Sequence, residues 1–237
     1  TDTGVTDTGT AIIDDDGDGV SADLDCDDLD DTLGAVAEDQ DCDGTLTADD
    51  CNDGDSSIYP GAAETLDDGI DQDCDGGDDV ICAGDYEITA DSASQIAALE
   101  YCAVITGDLD IYDNAALINV DGLSNLTDVG GELGIFYNAA LANVDGLSSL
   151  TTGGYLYIQN NDTLTNVDGL SSLTTLPYLN ITDNPALTNV DGLSNLTDVW
   201  NDLFISYNDA LTNVDGLYSL TTVGGYLYIS YNDALTN

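Results

Sequence analysis

The tetrapeptide VDGL recurs through the second half of the chain at a nearly constant spacing. Its copies are 24, 23, 23 and 24 residues apart and begin at Val120, Val144, Val167, Val190 and Val214. A fixed period of this size is typical of a solenoid, in which each coil buries its apolar face only against its neighbours. The next copy would be due at residue 238, one position beyond Asn237. We therefore expect an array whose last coil is incomplete and carries no polar capping repeat.

Aligned on VDGL, each coil reads L-x-I-x-x-N-x-x-L-x-x-V-D-G-L-x-x-L-T. The L-x-I alternation predicts a short strand with both apolar residues pointing inward. The predicted inward pairs are Leu109/Ile111, Leu133/Ile135, Leu156/Ile158, Leu179/Ile181, Leu203/Ile205 and Leu227/Ile229. A following Asn at 114, 138, 161, 184, 208 and 232 is expected to bond the backbone of neighbouring coils. The core continues through Leu117, Leu141, Leu164, Leu187 and Leu211, and Asp-Gly marks a turn on a return path without a full helix.

Two outward features accompany these strands. The Asp of each VDGL (Asp121, Asp145, Asp168, Asp191 and Asp215) would repel its neighbour by about 0.9 kcal/mol in water at a separation of about 4.8 Å. We expect a backbone hydrogen bond to each carboxylate rather than a ladder of cations.

Outward aromatic residues stand at Tyr112, Phe136, Tyr155, Tyr157, Tyr178, Phe204, Tyr226 and Tyr228. They favour either a binding face for a glycan or a partner, or cross-strand pairs that only stabilise the sheet.

The charge balance excludes several classes of partner. The chain has 48 acidic residues and no Lys, Arg or His, and 28 of the acids lie in residues 1–80. Without basic groups it cannot neutralise phosphate, which excludes direct binding of nucleic acid, and we expect no direct membrane insertion. Divalent cations are the natural compensation for such self-repulsion. The absence of His and Lys also removes the usual nucleophile–base pairs, so we expect no enzyme activity.

The sequence divides into four segments. Residues 1–13 are a Thr/Asp/Gly-rich segment that includes the apolar triplet Ala11-Ile12-Ile13, and residues 14–79 form an acidic, cysteine-bearing, loop-rich module. Residues 80–106 are a cap, where Asp91 or Ser92 is expected to begin a short helix running through Gln95 to Cys102. The solenoid follows at 107–237, with its first strand at about Leu109. Six Cys residues indicate an oxidising, extracellular compartment, and the lack of Cys-x-x-Cys and His argues against zinc.

The acidic module contains three starts of a calcium loop. An EF-hand loop places oxygen ligands at positions 1, 3, 5, 7, 9 and 12 around a Gly at position 6. One stretch supplies Asp39, Asp41, Asp43, Thr45 (through its carbonyl), Thr47 and Asp50 around Gly44. An earlier stretch supplies Asp14, Asp16, Asp18 and Asp25 around Gly19, and a third start supplies Asp71, Asp73 and Asp75 before Gly76. All-oxygen donors of this kind favour Ca²⁺.

The same segment resembles the acidic metal-binding repeat of secreted bacterial proteins, the MopE-type motif. Its hallmarks DCxDxD, PGAxE and DGxDxDCDG are complete between Asp50 and Gly76, and a shorter copy spans Asp25 to Gly44. The resemblance implies a secreted or surface location and metal binding, and its name is associated with copper. Four Cys residues in the module allow three connectivities. One bond per copy, Cys26–Cys42 and Cys51–Cys74, is the pairing that we expect.

Residues 80–237 resemble leucine-rich repeats, and more closely a bacterial relative of receptor L-domains. The stretch CAGDYEITADSASQIAALEYCAVITGDLDI matches the disulfide-tied N-terminal cap of that family. The resemblance implies a bond between Cys82 and Cys102 and a fold that binds proteins or glycans. The overall expectation is a mainly β, leucine-rich-repeat-like solenoid with a short cap helix and a calcium-binding module tied by disulfides.

Two functions fit these expectations. The first is a non-enzymatic extracellular structural protein, a calcium-binding subunit that assembles head to tail into a surface filament, with residues 1–13 donated as a strand to the open edge of a neighbour. The second is a surface adhesin or recognition module that uses the aromatic strand face. Glycosylation sequons occur at Asn125, Asn161, Asn180 and Asn195, of which Asn161 belongs to the buried Asn series.

Overall fold

The computed structural model describes residues 14–27, 29–89 and 92–236, and the chain divides between Asp78 and Asp79 into two compact units. The donor segment 1–13 and the proposed helix cap Asp91 lie outside the described residues. The described α-helix, Ser92–Ala97, has six residues. Within the described ranges, no helix combines the length and hydropathy that a membrane crossing requires.

Parallel strands at a nearly constant spacing dominate the second unit. Its largest sheet contains β2 (Tyr86–Ile88), β4 (Leu109–Tyr112), β6 (Leu133–Phe136), β8 (Tyr155–Gln159), β10 (Tyr178–Thr182), β12 (Leu203–Ser206) and β14 (Leu227–Ser230), which lie side by side in that order. Leu179 is in register with Leu156 on one side and with Leu203 on the other. Each inward column therefore repeats one residue type, so that one coil packs on the next without a change of register.

The rest of each coil returns through shorter elements. Two smaller parallel sheets contain β1 (Val80–Cys82), β3 (Cys102–Ile105), β5 (Asp128–Val129) and β7 (Thr152–Gly153), and β9 (Thr175–Leu176), β11 (Asp198–Val199) and β13 (Thr222–Val223). Each DGL triplet forms a single 3₁₀ turn, at Asp121–Leu123, Asp145–Leu147, Asp168–Leu170, Asp191–Leu193 and Asp215–Leu217. The prediction of a mainly β repeat fold that returns without a full helix is confirmed.

The hydrophobic core runs the length of the solenoid. The predicted inward Leu and Ile residues of β4 to β12 are between 0% and 2% exposed, and Leu141, Leu164, Leu187 and Leu211 are fully buried. Complete burial of a Leu or Ile side chain stabilises a fold by about 1.5–3 kcal/mol. In the last coil, Leu227 is 54% exposed, because no described coil covers it.

A ladder of Asn side chains lies beside this core, as predicted. The Asn184 amide donates to the carbonyl oxygens of Ile158 (2.9 Å) and Thr182 (3.0 Å). Its Oδ1 accepts from the backbone N–H of Asn161 at 3.1 Å. Equivalent bonds link the other ladder positions, and the four Asn residues from 138 to 208 are 0% exposed. The sequon at Asn161 is therefore buried.

The structure corrects the expectation for the Asp of VDGL. These five side chains are exposed, and within the described residues no backbone N–H donates to their carboxylates. The preceding Asn does the local bonding instead: Asn166 Oδ1 accepts from the Asp168 N–H at 3.0 Å. Asp begins the 3₁₀ turn, so its own N–H needs an acceptor while its side chain faces solvent.

The Gly of VDGL is required by the contact between coils. A Cβ on Gly169 would collide with the carbonyl oxygen of Val144 in the preceding coil, and Gly146, Gly192 and Gly216 each meet the equivalent Val carbonyl of their own preceding coil. None of these four glycines has a positive φ. The predicted turn at Asp-Gly is present, and Gly is needed there for the close approach of stacked backbones rather than for a left-handed conformation.

The cap differs from the prediction in two respects. The helix ends at Ala97, and Cys102 begins strand β3 instead of ending the helix. The β-branched segments VIC and CAVI pair as parallel strands β1 and β3, which takes Cys102 out of the helix. The large sheet also starts earlier than Leu109, because β2 in the cap pairs with β4.

Candidate metal centre

The first unit has almost no hydrocarbon core. Of its described residues, Ile58 is the only buried apolar side chain, and regular pairing is limited to the bridge between Asp25 and Ala35. Carboxylates organise the loops instead, by accepting backbone N–H groups two or three residues ahead. Such bonds join the Gly17 N–H to Asp14, the Val20 N–H to Asp18 and the Thr45 N–H to Asp43, each at 2.7 Å.

Two disulfide bonds cross-link these loops. They join Cys26 to Cys42, with Cα atoms 5.3 Å apart, and Cys51 to Cys74, with Cα atoms 5.8 Å apart. A third bond joins Cys82 to Cys102 in the cap. These are the pairs expected in the sequence analysis. Cys42 and Cys74 occupy the same place in two DQDCDG segments, and both adopt a left-handed backbone conformation, with φ of 63° and 60°.

The first predicted calcium loop brings its leading carboxylates together. Oxygen atoms of Asp14, Asp16 and Asp18 lie within 4.8 Å of one another. Asp16 Oδ2 and Asp25 Oδ2 are buried and accept no hydrogen bond. The backbone hydrogen bond from Asp18 lowers the pKa of Asp16, but burial and the charges of Asp18, Asp25 and Asp14 outweigh it, so that the pKa is raised overall.

The second loop is the most enclosed. Asp39, Asp41 and Asp43 have carboxylate oxygens within 4.8 Å of one another, and Asp39 is only 4% exposed. Asp39 fixes the loop by accepting the N–H groups of Cys42 (2.7 Å) and Gly44 (2.9 Å). Both carboxylate oxygens of Asp41 are buried without a hydrogen-bond partner. The chain thus assembles several carboxylates and supplies no cation to balance them.

Asp50, the predicted twelfth position, faces the same group. Burial raises the pKa of Asp41, and the charges of Asp43 and Asp50 raise it further. The nearby Asp43 N–H opposes this rise, although it is not placed well enough to donate a hydrogen bond to Asp41. Asp43 and Asp50 each have one buried oxygen, Oδ2, that accepts no hydrogen bond. Asp50 also lies within 4.8 Å of the sulfurs of Cys51 and Cys74, but those atoms form a disulfide and are not thiolate ligands.

The middle of the second loop departs from the EF-hand assignment. The Thr47 hydroxyl donates to the carbonyl oxygen of Glu38 (3.0 Å) and to Asp53 (2.9 Å), so it is already engaged outside the carboxylate group. Thr45 donates its N–H to Asp43, and its carbonyl as the position-7 ligand stays a prediction. The neighbouring carboxylate oxygens come from Asp39, Asp41 and Asp43, and the charge of Asp50 acts on Asp41.

The third loop recruits a residue that the sequence analysis did not assign. Glu64, Asp71 and Asp73 have oxygen atoms within 4.8 Å of one another, whereas Asp75 is not part of this group. Glu64 Oε1 accepts the Asp73 N–H at 2.7 Å, and Asp71 accepts the N–H groups of Asp75 and Gly76 at 3.1 Å and 3.0 Å. The signal was present in the sequence, because Glu64 is the acid of the PGAxE hallmark.

Comparison with known proteins agrees with this geometry. Residues 37–46 and 50–79 match the family model named Cu-binding MopE, which is described as "Putative metal-binding motif". The matched residues include the second and third carboxylate groups and one complete disulfide loop. No curated protein and no solved structure matches the chain. The motif and the disulfide bonds together indicate an extracellular protein with a metal-binding module.

The donor set tests which metal fits. The chain has no His and no Met, and all six Cys residues form disulfides. Copper prefers imidazole and sulfur ligands, whereas Ca²⁺ takes six to eight oxygen ligands in a flexible geometry. Buried carboxylate oxygens without hydrogen-bond partners fit a hard cation. The residues therefore do not fit the copper in the family name as well as they fit Ca²⁺.

Proposed function

We propose that this chain is a non-enzymatic, secreted protein in which Ca²⁺ folds the acidic module and the solenoid presents a recognition surface. The observation that carries the proposal is the set of buried, unpartnered carboxylate oxygens on Asp41, Asp43 and Asp50. An isolated buried carboxylate is strongly disfavoured unless a cation is bound nearby or the group takes up a proton. The recurrence of the arrangement at Asp16 and Asp25 supports at least two ions per chain.

Calorimetric titration of the chelator-treated full chain with Ca²⁺, Mg²⁺ and Cu²⁺ tests this assignment. We expect Ca²⁺ to bind at two or more sites, and the variant Asp41→Asn to weaken one of them at least tenfold. Asp49→Asn is the matched control, because it removes the same charge from a neighbouring carboxylate that is exposed. Tighter binding of Cu²⁺ than of Ca²⁺, or equal affinities for the two variants, would overturn the proposal.

A recognition role for the solenoid rests on its architecture. Stacked parallel coils with a buried Asn ladder support the leucine-rich-repeat-like assignment, and that resemblance implies binding rather than catalysis. Solenoids of this kind offer extended binding surfaces. The cross-strand ring contacts described below are compatible with both roles expected for the aromatic residues, a stabilising one and a binding one.

Head-to-tail assembly is the second proposed function. Strand β14 lies at one edge of the large sheet, where Leu227 and Tyr228 are 54% and 42% exposed. Either a further coil of the same protein or a strand donated by another subunit would cover this edge. Sedimentation of the full chain and of a variant lacking residues 1–13, in millimolar Ca²⁺, separates the two. Donation of that segment predicts large particles for the full chain alone, and equal behaviour of the two proteins would contradict it.

A further inference from the structure

We propose that the outward face of the large sheet binds an extended, positively charged peptide segment of another protein. The face is defined by Asp110, Glu132, Phe136, Tyr157, Tyr178 and Phe204, and we call it the aromatic–acidic face. The inference rests on the recognition role proposed for the solenoid and names its ligand class. It is independent of the metal content of the first unit.

Aromatic rings form a continuous strip along one part of this face. Ring centroids are 6.1 Å apart for Phe136 and Tyr157, 5.1 Å for Tyr157 and Tyr178, and 5.9 Å for Tyr178 and Phe204. The rings are tilted against one another by 38–45°, and each side chain is only partly buried. The contacts therefore hold the rings in place without removing them from solvent.

Carboxylates occupy the adjoining part of the same face. Asp110 lies in register with Glu87 on β2 and with Gly134 on β6. A Cβ on Gly134 would collide with both Asp110 Oδ1 and the Phe136 ring, so the carboxylate and the ring converge on one point. Asp110 Oδ1 is buried and accepts no hydrogen bond. Burial raises the pKa of Asp110, as do the neighbouring charges of Asp108 and Glu87.

The spread of these carboxylates favours a polycation over a single metal ion. In the described part of the solenoid, no three acidic groups bring oxygens within 4.8 Å of one another, whereas the first unit does so repeatedly. A second copy of the chain offers no complementary charge, because it contains no Lys, Arg or His. Nucleic acid carries the wrong sign. A ligand with several separated cationic groups matches both the charge and its distribution.

Basic side chains suit the junction between carboxylates and rings. Arg and Lys lay apolar stems along aromatic surfaces while their charged ends reach an acid, and a cation over a ring gains further attraction. The aromatic–acidic face crosses five neighbouring strands, β4 to β12, or roughly 19 Å at about 4.8 Å per spacing, which about six residues of extended peptide can span. An extended basic segment can therefore contact the acids and the rings at once.

A fluorescein-labelled peptide of nine alternating Gly and Arg residues is the probe. Its affinity for the full chain is measured by fluorescence polarisation in 150 mM NaCl and 2 mM CaCl₂. Because the acidic module also attracts cations, the readout is the difference between matched variants. Tyr178→Leu is compared with Tyr218→Leu, whose parent side chain follows a 3₁₀ turn and is 77% exposed. Asp110→Asn is compared with Asp162→Asn, which removes the same charge outside the strands.

We expect Tyr178→Leu and Asp110→Asn each to weaken binding about three- to tenfold, and the two controls to change it less than twofold. Equal losses within each pair would overturn the proposal. Ring-dependent binding of a neutral hexasaccharide, with no ring-dependent binding of the peptide, would also overturn it. If Tyr178→Leu fails to fold, as judged by circular dichroism, the Asp110 pair decides alone. None of these variants touches the acidic module, so failure here would leave the calcium proposal standing.

Discussion

The two units of this chain reach a fixed conformation by opposite means. In the solenoid, the inward Leu and Ile residues of β4 to β12 are 0–2% exposed, and identical residues stack from coil to coil. In the acidic module, Ile58 is the only buried apolar side chain among the described residues, and the enclosed groups are carboxylates and disulfides. Hydrocarbon packing therefore holds the solenoid together, whereas disulfides and carboxylate hydrogen bonds hold the acidic module, whose excess charge the proposed Ca²⁺ would neutralise.

Removal of divalent cations should separate the two regions most sharply. We expect excess EDTA to open residues 14–78 to proteolysis while residues 79–236 stay protected. Without a bound cation the carboxylates of the acidic module repel one another, and this module has no hydrocarbon core to hold it together. Limited proteolysis followed by mass spectrometry locates the cuts. Unchanged protection of the acidic module in EDTA would show that disulfides alone maintain it and would remove the basis of the comparison.

The tight stacking of coils predicts that an added methyl group is costly where two coils meet backbone to backbone. Gly169→Ala places a methyl group against the carbonyl oxygen of Val144 and should force the coils apart, at a cost of about 3 kcal/mol or more. Gly153→Ala is the control, since the added Cβ would meet no atom closer than 3.9 Å. Denaturant unfolding of the two variants measures the difference. Similar free energies of unfolding would mean that the coils are not packed as tightly as described.

The sequence predicted the solenoid well where each coil carries its own signal. Inward pairs such as Leu179 and Ile181 follow from period-2 spacing, and the Asn ladder follows from its fixed place after them. The sequence did not reveal β2 or the two-residue strands, because these form only through pairing with a neighbouring coil. It placed a turn at Asp-Gly correctly but did not reveal why Gly169 must be Gly, because the constraint is an atom about one coil away along the chain.

The metal module was predictable to the extent that its ligands are local. The DxDxDG spacing located Asp14, Asp16 and Asp18, and likewise Asp39, Asp41 and Asp43. At the third loop it located Asp71 and Asp73 but not the third carboxylate, because the twelfth position is Cys82 in the other unit. There the missing carboxylate comes from Glu64, upstream of the loop. The loop motif predicts ligands only at positions after its first Asp, so it cannot predict a residue that precedes it in the sequence.

Polar ladders in the solenoid should matter less than its packing. Asn184→Ala removes donors to Ile158 and Thr182 and the acceptor for the Asn161 N–H, and should cost about 1–3 kcal/mol. Asn180→Ala removes only a 3.3 Å bond to the Tyr178 hydroxyl and should cost less. Thermal unfolding of both variants provides the test. Equal melting temperatures would show that the buried ladder does not stabilise the coils.

Changes of charge in the solenoid should have the smallest effect on the free energy of unfolding, because its carboxylates are not part of the hydrophobic core. Burial and the charges of Asp108, Glu87 and Asp85 raise the pKa of Asp110, so the folded state holds its proton more tightly than the unfolded state does. The stability gained from this tighter proton binding is fully present below the pKa of the unfolded state, about 3.9. It is lost as the pH rises through the higher pKa of the folded state. At neutral pH the ionised Asp110 therefore opposes folding. Asp110→Asn should stabilise the chain by less than about 1 kcal/mol, since solvent screens a partly exposed group.

Asp198 provides a comparison of opposite sign. Hydrogen bonds from the hydroxyls of Thr197 and Thr222 lower its pKa, so its contribution is present above about pH 3.9 and is lost as the pH falls through the lower folded value. Asp198→Asn should therefore lower the melting temperature at pH 7, where Asp110→Asn raises it. Both differences should shrink towards pH 3, because Asp110 takes up its proton and because the unfolded state, in which Asp198 has its ordinary pKa, is also protonated there. Melting curves at pH 7 and pH 3, with Ca²⁺ constant, measure all four values. Shifts of the same sign for both variants at pH 7 would mean that net charge, rather than the local surroundings of each carboxylate, determines their effect on the solenoid.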